Sequence, residues 1–77
     1  MQSHEWDWPS EDMLRPKKGT RFHHARVLDE NNEPQLYEVI MIAHGNVYYR
    51  AVDEGVLRGS VDFCPAVQFH RWVKSID

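Results

Sequence analysis

Six side chains, five histidines and one cysteine, could bind a transition metal or act as nucleophiles. They are His4, His23, His24, His44, His70 and Cys64. Zinc sites use closely spaced pairs, such as two cysteines with two residues between them or two histidines with three to five. The only comparable pair here is Cys64 and His70. The adjacent His23 and His24 would point to opposite faces of a strand. The spacing therefore predicts neither a metal site nor a bound cofactor.

The surroundings of Cys64 do not favour covalent catalysis. Cys64 lies between Phe63 and Pro65, with no glycine turn to expose its thiol. A free cysteine in such a position is usually a small buried apolar residue. Ser60 has no histidine and aspartate arranged around it that the sequence reveals. No catalytic residue is predicted, and the interpretation leans away from an enzyme.

Aromatic residues are the more promising chemistry. The candidates for a peptide groove or a cation cage are Tyr37, Tyr48, Tyr49, Phe69 and Trp72. Adjacent residues of a strand face opposite ways, so Tyr48 and Tyr49 should divide between the core and the surface. The predicted binding residues are Tyr48, Tyr49, Arg50, Asp62 and Trp72. The alternative is that these aromatics form the core and a subunit interface.

Charge is distributed in three blocks. Residues 1–14 carry −4, residues 15–26 carry +5 and residues 27–77 carry −4, which sum to the net charge of −3. Lys17, Lys18 and Arg21 of the basic block are candidates for phosphate contacts. An acidic chain with a pI of about 5.9 does not fit most nucleic-acid-binding domains. The basic block is therefore expected to neutralise the acidic segments around it, with nucleic-acid binding as a less favoured alternative.

The first 18 residues read as an acidic aromatic arm followed by a basic linker. Trp6 and Trp8 alternate with acids, so both indoles would face one way in an extended chain. They either pack over the following domain or are captured by a partner. Ser10 is expected to cap a one-turn helix that ends before Pro16.

Residues 19–77 read as one small β domain. Strands are predicted at 20–28, 35–43 and 47–52 from their β-prone composition and the turn cluster at 29–34. His44-Gly45-Asn46 is expected to be a tight hairpin connection, with Gly45 or Asn46 at positive φ. Residues 53–59 are expected to form a longer loop.

The C-terminal stretch has two readings. One set of apolar residues has helical spacing: Phe69, Trp72, Val73 and Ile76. This pattern predicts a chromo-like three-stranded sheet with a C-terminal helix. The preferred reading is a strand at 60–64, a 3₁₀ turn at 65–68 and a last strand at 69–74. That gives a five-stranded SH3-like barrel, whose closure leaves little open edge.

Residues 59–71 carry a family resemblance. They read Gly-Ser-Val-Asp-Phe-Cys-Pro-Ala-Val-Gln-Phe-His-Arg and cover about a sixth of the chain. The segment resembles Gly-Ser-Val-Gln-Ile-Tyr-Pro-Val-Ala-Ala-Leu-Glu-Arg of the plasmid-borne, trimethoprim-insensitive type II dihydrofolate reductases. The identical residues are Gly59, Ser60, Val61, Pro65 and Arg71. The resemblance implies a small SH3-like barrel and a homotetramer around one pore. The same segment also resembles the end of eukaryotic SH3 domains.

Two departures from that family concern its functional strand. Asp62 and Cys64 stand where the family has glutamine and tyrosine. The glutamine contacts an anionic cofactor and folate, which Asp62 would repel in a poorly screened pore. The resemblance therefore supports the fold and argues against reductase activity, which is kept as an alternative.

Size and composition complete the expectations. A chain of 77 residues with 42% hydrophobic residues has enough material for one small core. Such a thin core favours self-association. One cysteine, no membrane-length apolar run and no secretory signal point to the cytoplasm. We predict a non-catalytic binding or assembly module that binds either a second copy of itself or a protein or peptide partner. A phage or mobile-element inhibitor protein is a further alternative.

Overall fold

The computed structural model describes residues 11–77, with side chains from Met13 onward. The elements are α1 (Glu11–Leu14), β1 (Arg21–Leu28), β2 (Pro34–Ala43), β3 (Asn46–Asp53), β4 (Val56–Pro65), a 3₁₀ turn (Ala66–Gln68), α2 (Phe69–Trp72) and β5 (Val73–Ile76). The predicted mainly β fold is confirmed, and α1 lies where the one-turn helix was expected. The predictions for Trp6, Trp8 and the Ser10 cap lie outside the described residues.

All five strands form one antiparallel sheet in the spatial order β4-β3-β2-β1-β5. Strands β1 to β4 are a meander, and β5 returns to pair with the free side of β1, with Phe22 opposite Ile76. No ladder joins β4 to β5 among residues 11–77. The expectation of a closed barrel is therefore wrong, because the sheet stays open. As a result, the ten-residue strand β4 has one unpaired edge.

Two tight turns connect β2 to β3 and β3 to β4. His44 and Gly45 both have positive φ, at 54° and 76°, between the paired residues Ala43 and Asn46. Two consecutive residues of this kind match the right-handed twist of a hairpin. The expectation is thus correct for Gly45, whereas Asn46 already belongs to β3.

The expected loop at 53–59 is wrong. Glu54 and Gly55, with φ of 53° and 80°, make a second turn of the same kind, and β4 begins at Val56. The glycine at position 59 had suggested the end of a loop. It lies instead inside β4, where its φ of 79° belongs to a bulge.

That bulge interrupts the pairing of β3 with β4. Asp62 lies opposite Tyr49 and Arg58 lies opposite Ala51, so residues 59–61 stand opposite Arg50 alone. The Arg50 guanidinium Nε donates a hydrogen bond of 3.0 Å to the Gly59 carbonyl. This bond provides a partner for a carbonyl in the bulge, where ladder pairing is disrupted.

Neither reading of the C-terminal stretch is right in full. The 3₁₀ turn lies at Ala66–Gln68, close to its predicted place. The helical spacing then produces only the single turn of α2, and the last strand begins at Val73 instead of residue 69. Five strands result, as preferred, because Val73–Ile76 extend and pair with β1.

The core lies on one face of the sheet, which we call the inner face. Its buried residues are Phe22, Tyr37, Val39, Val47, Tyr49, Cys64, Phe69 and Val73. Met13 of α1 packs against this core together with part of α2. His24 is also buried. The helices α1 and α2, of four residues each, are too short to span a membrane, and residues 11–77 contain no longer helix.

Candidate functional site

Six rings meet on the inner face: Phe22, His24, Tyr37, Tyr49, Phe69 and Trp72. The ring centroid of Phe22 is 4.8 Å from that of Phe69 and 5.4 Å from that of Tyr49, both edge to face. Tyr37 meets Tyr49 edge to face at 5.1 Å. Such pairs stabilise beyond the apolar area they bury. The cluster is therefore a packed core.

His24 is held in one tautomer by the backbone. Its Nδ1 accepts hydrogen bonds from the amides of Arg26 at 3.0 Å and Val27 at 3.2 Å. A nitrogen that accepts two N–H groups carries no proton, so the neutral ring has its proton on Nε2. Burial lowers the pKa of His24, the charge of Arg26 lowers it further and Asp62 acts in the opposite direction. His24 is thus a neutral core residue.

Burial also raises the pKa values of Tyr49 and Cys64 on the inner face. It raises the pKa of Tyr49 to about 12, with smaller contributions from Cys64, Asp62 and Tyr37. It raises the pKa of the Cys64 thiol to about 11. The thiolate is the reactive form of cysteine, so this thiol is a poor nucleophile at neutral pH. The structure therefore agrees with the interpretation of Cys64 as a small core residue.

Trp72 lies at the border of the core. Its ring is half-buried, with the Arg26 guanidinium 5.0 Å from the ring centroid. This geometry is that of a cation–π contact. The indole N–H is buried and has no hydrogen-bond partner among residues 11–77. Trp72 was a predicted binding residue, and one face of its indole is covered by a cation of the same chain.

The outer face, opposite the core, carries a charged row across three strands. Arg21 Nε lies 2.9 Å from a carboxylate oxygen of Glu38. Glu38 in turn pairs with Arg50 in the β2–β3 register. Arg50 ends the row at the carbonyl of Gly59. Arg21, a candidate for phosphate contacts, and Arg50, a predicted binding residue, therefore have structural partners within the sheet.

Next to this row is an apolar strip, which we call the outer strip and define as Met41, Tyr48, Val61 and Phe63. Met41 and Phe63 are the residues paired with Tyr48 on its two sides. The rings of Tyr48 and Phe63 lie 5.6 Å apart. Phe63 is 61% exposed, and Met41 and Val61 are each 47% exposed. The strip borders the unpaired edge of β4, where an added strand would cover it.

The predicted binding residues do not form one site. Tyr48 belongs to the outer strip, whereas Tyr49 is buried in the core, as the opposite-face argument required. Asp62 is exposed on β4 opposite Tyr49, and Trp72 lies on α2. Sequence reasoning missed Met41, Val61 and Phe63. The alternation Val61-Asp62-Phe63 was a signal that could have found the latter two, had β4 been recognised as an edge strand.

Charged groups elsewhere are spread over the surface. Lys17 and Lys18 are exposed in the turn before β1.

A shallow open depression of about 240 Å³ is lined by Asp29, Glu30, Gln35, Ala51, Asp53, Arg58 and Gly59. Within residues 11–77, no three side chains from His, Cys, Asp and Glu are grouped as metal ligands would be.

Comparison of the chain with protein-family models, with curated proteins and with solved structures gives no match.

Proposed function

We propose that the protein is a non-catalytic assembly module that associates through the unpaired edge of β4 and the outer strip. The observation that carries the proposal is a ten-residue edge strand with its outward side chains left apolar and exposed. Natural sheets usually protect such an edge with charges, prolines or a covering element. β4 carries Arg58, Asp62 and a bulge, but Val61 and Phe63 on its outer face are apolar and exposed, and this face is suited to addition of another strand.

The inner face supports the same proposal by contrast. Its aromatic rings pack in the core. The pKa of its Cys64 thiol is raised, and Nδ1 of its His24 accepts backbone hydrogen bonds. Three exposed apolar side chains, those of Met41, Val61 and Phe63, instead lie together on the outer strip. Contiguous exposed apolar residues on a small soluble domain are typical of interaction surfaces.

The strand order supports an SH3-like arrangement as part of the proposal. A meander of four strands, a 3₁₀ turn and a final strand that returns to β1 are the features on which that assignment rests. The sheet is open between β4 and β5, so an associating strand at β4 would extend it on that side. Association would compensate for the thin core of so short a chain.

Sedimentation velocity over a series of protein concentrations tests the proposal. We expect the wild-type protein to associate and Phe63→Lys to remain monomeric, because a lysine ammonium would be desolvated in the contact. The matched control is Val67→Lys on the 3₁₀ turn, since Val67 is also apolar and is 82% exposed but lies off the strip. This control should associate as the wild-type protein does. A wild-type monomer at all concentrations, or equal behaviour of the two variants, would refute the proposal.

A further inference from the structure

We infer that the strand added at β4 is β4 of a second copy, antiparallel and related by a two-fold axis at Ser60, with Arg58 of each copy paired to Asp62 of the other. The inference rests on the proposed function, since it names the partner and the register of that same edge.

Symmetry limits which residues of the two β4 strands can lie opposite each other. A two-fold axis perpendicular to a sheet places inner-face residues opposite inner-face residues. Arg58 and Asp62 share the inner side of β4, because they pair with Ala51 and Tyr49 of β3. Antiparallel registers that obey this rule differ by steps of two residues. Moving the two-fold axis by one residue along β4 therefore gives every residue of the strand a different partner.

Charge selects one of these registers. Arg58 and Asp62 are the only charged residues of β4. Centring the axis on Asp62 opposes two carboxylates, and centring it on Arg58 opposes two guanidinium groups. Centring it on Ser60 creates two Arg58–Asp62 pairs, in which opposite charges face each other across the strands. Arg58 has only a loose contact of 3.9 Å with Asp53, and both side chains are more than half exposed.

The apolar residues agree with the same register. It places Phe63 opposite Leu57 of the second copy on the outer face, and Cys64 opposite Val56 on the inner face. It also places Val61 opposite Gly59. Gly59 has no Cβ, and the space that a Cβ would occupy there is empty. The strand is therefore complementary to its own reverse at four successive steps from Ser60.

The direction of the backbone groups fits as well. Asp53 and Val56 flank a two-residue turn, so they exchange hydrogen bonds and alternate residues of β4 then face β3. By this alternation the N–H and C=O of Leu57 are directed to the open edge. On the other side of the bulge, Asn46 flanks the β2–β3 turn, so the same alternation gives Val47 and Tyr49 their hydrogen bonds to Cys64 and Asp62 of β4. Phe63 is opposite Tyr48 in the register, and its N–H and C=O are then directed to the open edge. Leu57 and Phe63 are the residues that the Ser60 register opposes, one on each side of the bulge.

Charge reversal tests the register. Arg58→Asp and Asp62→Arg should each weaken self-association about tenfold or more, because two attractive pairs become repulsive. An equimolar mixture of the two variants should form a heterodimer, since position 58 of each copy then faces the opposite charge at position 62 of the other. The double variant with both reversals should regain the homodimer. Circular dichroism and thermal unfolding of each variant show whether it is folded.

A disulfide provides a test that does not depend on those charges. Ser60→Cys in a Cys64→Ala background should form a covalent dimer under mild oxidation, because cross-strand residues at the axis have Cα atoms at disulfide distance. The matched control is Ser75→Cys in the same background, which places a cysteine on the other edge strand. This control should stay monomeric on a denaturing gel.

The outcomes separate the two proposals. If the wild-type protein associates and Phe63→Lys abolishes this, but neither the mixed variants nor Ser60→Cys behave as described, the register is wrong and the assembly module stands. If the wild-type protein does not associate, both fail. Restored association of the mixture together with the Ser60→Cys dimer supports the register.

Discussion

The two faces of the sheet use similar residues for different ends. On the inner face Phe22, Tyr49 and Cys64 are buried, and burial raises the pKa values of Tyr49 and Cys64. On the outer face Phe63 and Tyr48 form an exposed strip beside a charged row. Residues of the same type, such as Phe22 and Phe63 or Tyr49 and Tyr48, thus differ in environment according to the face that they occupy. Side-chain identity alone says little about role in this chain, because the pleat assigns each residue to a face.

The largest expected difference between the faces is in stability. Phe22→Ala should lower the free energy of unfolding by about 3–5 kcal/mol, because it empties the centre of the aromatic cluster. Phe63→Ala should change it by less than about 0.5 kcal/mol at a concentration where the protein is monomeric. Urea denaturation measures both. If Phe22→Ala has no cooperative transition, Phe22→Leu should show one with a smaller loss. Equal effects at the two positions would contradict the assignment of faces.

Thiol reactivity should differ next. The pKa of Cys64 is raised to about 11 from 9.0, so its thiolate fraction at pH 8 is lower about a hundredfold, and burial limits access further. Iodoacetamide should therefore modify native Cys64 at least about a hundredfold more slowly than the urea-unfolded protein, with the rate followed by mass spectrometry. In a Cys64→Ala background, Val61→Cys on the outer strip should react rapidly. Rapid labelling of native Cys64 would show that the inner face is open.

His24 should make the free energy of unfolding depend on pH. Because burial lowers the pKa of folded His24, the unfolded chain binds a proton more readily. His24 therefore contributes a loss of stability as pH falls below about 6.5, the value for unfolded histidine. Urea midpoints between pH 8 and pH 5 should fall less in His24→Asn, which keeps an acceptor for the two amides. His23→Asn, which replaces the adjacent histidine on the outer face, is measured beside it; the same reduction in both variants would exclude the proposed cause.

The smallest expected effect concerns the charged row. Arg50→Met should lower the free energy of unfolding by about 0.5–1.5 kcal/mol, because it removes the donor to the Gly59 carbonyl. Arg71→Met, at an exposed position of α2, should be close to neutral. Urea denaturation of the two variants gives the comparison. A neutral Arg50→Met would mean that the bulge needs no side-chain partner.

The elements were predictable wherever local chemistry decides them. The hairpin of β2 and β3 follows from β-prone residues on either side of a glycine turn, and the division of Tyr48 from Tyr49 follows from the strand period. The extent of β4 was not predictable. Gly55 and Gly59 both suggest a loop, and only pairing with β3 shows that one is a turn and the other a bulge. The exposed strip was missed for the same reason.

The sequence by itself determined a mainly β domain, a central hairpin, an acidic net charge and the absence of an intrachain disulfide, since each depends on composition or local spacing. Only the tertiary structure decided that the sheet is open, that β4 is an edge and that Phe63 is exposed while Phe22 is buried. These outcomes depend on which strands pair. Strand pairing is a contact between distant residues, and no local pattern specifies which strand is left without a neighbour.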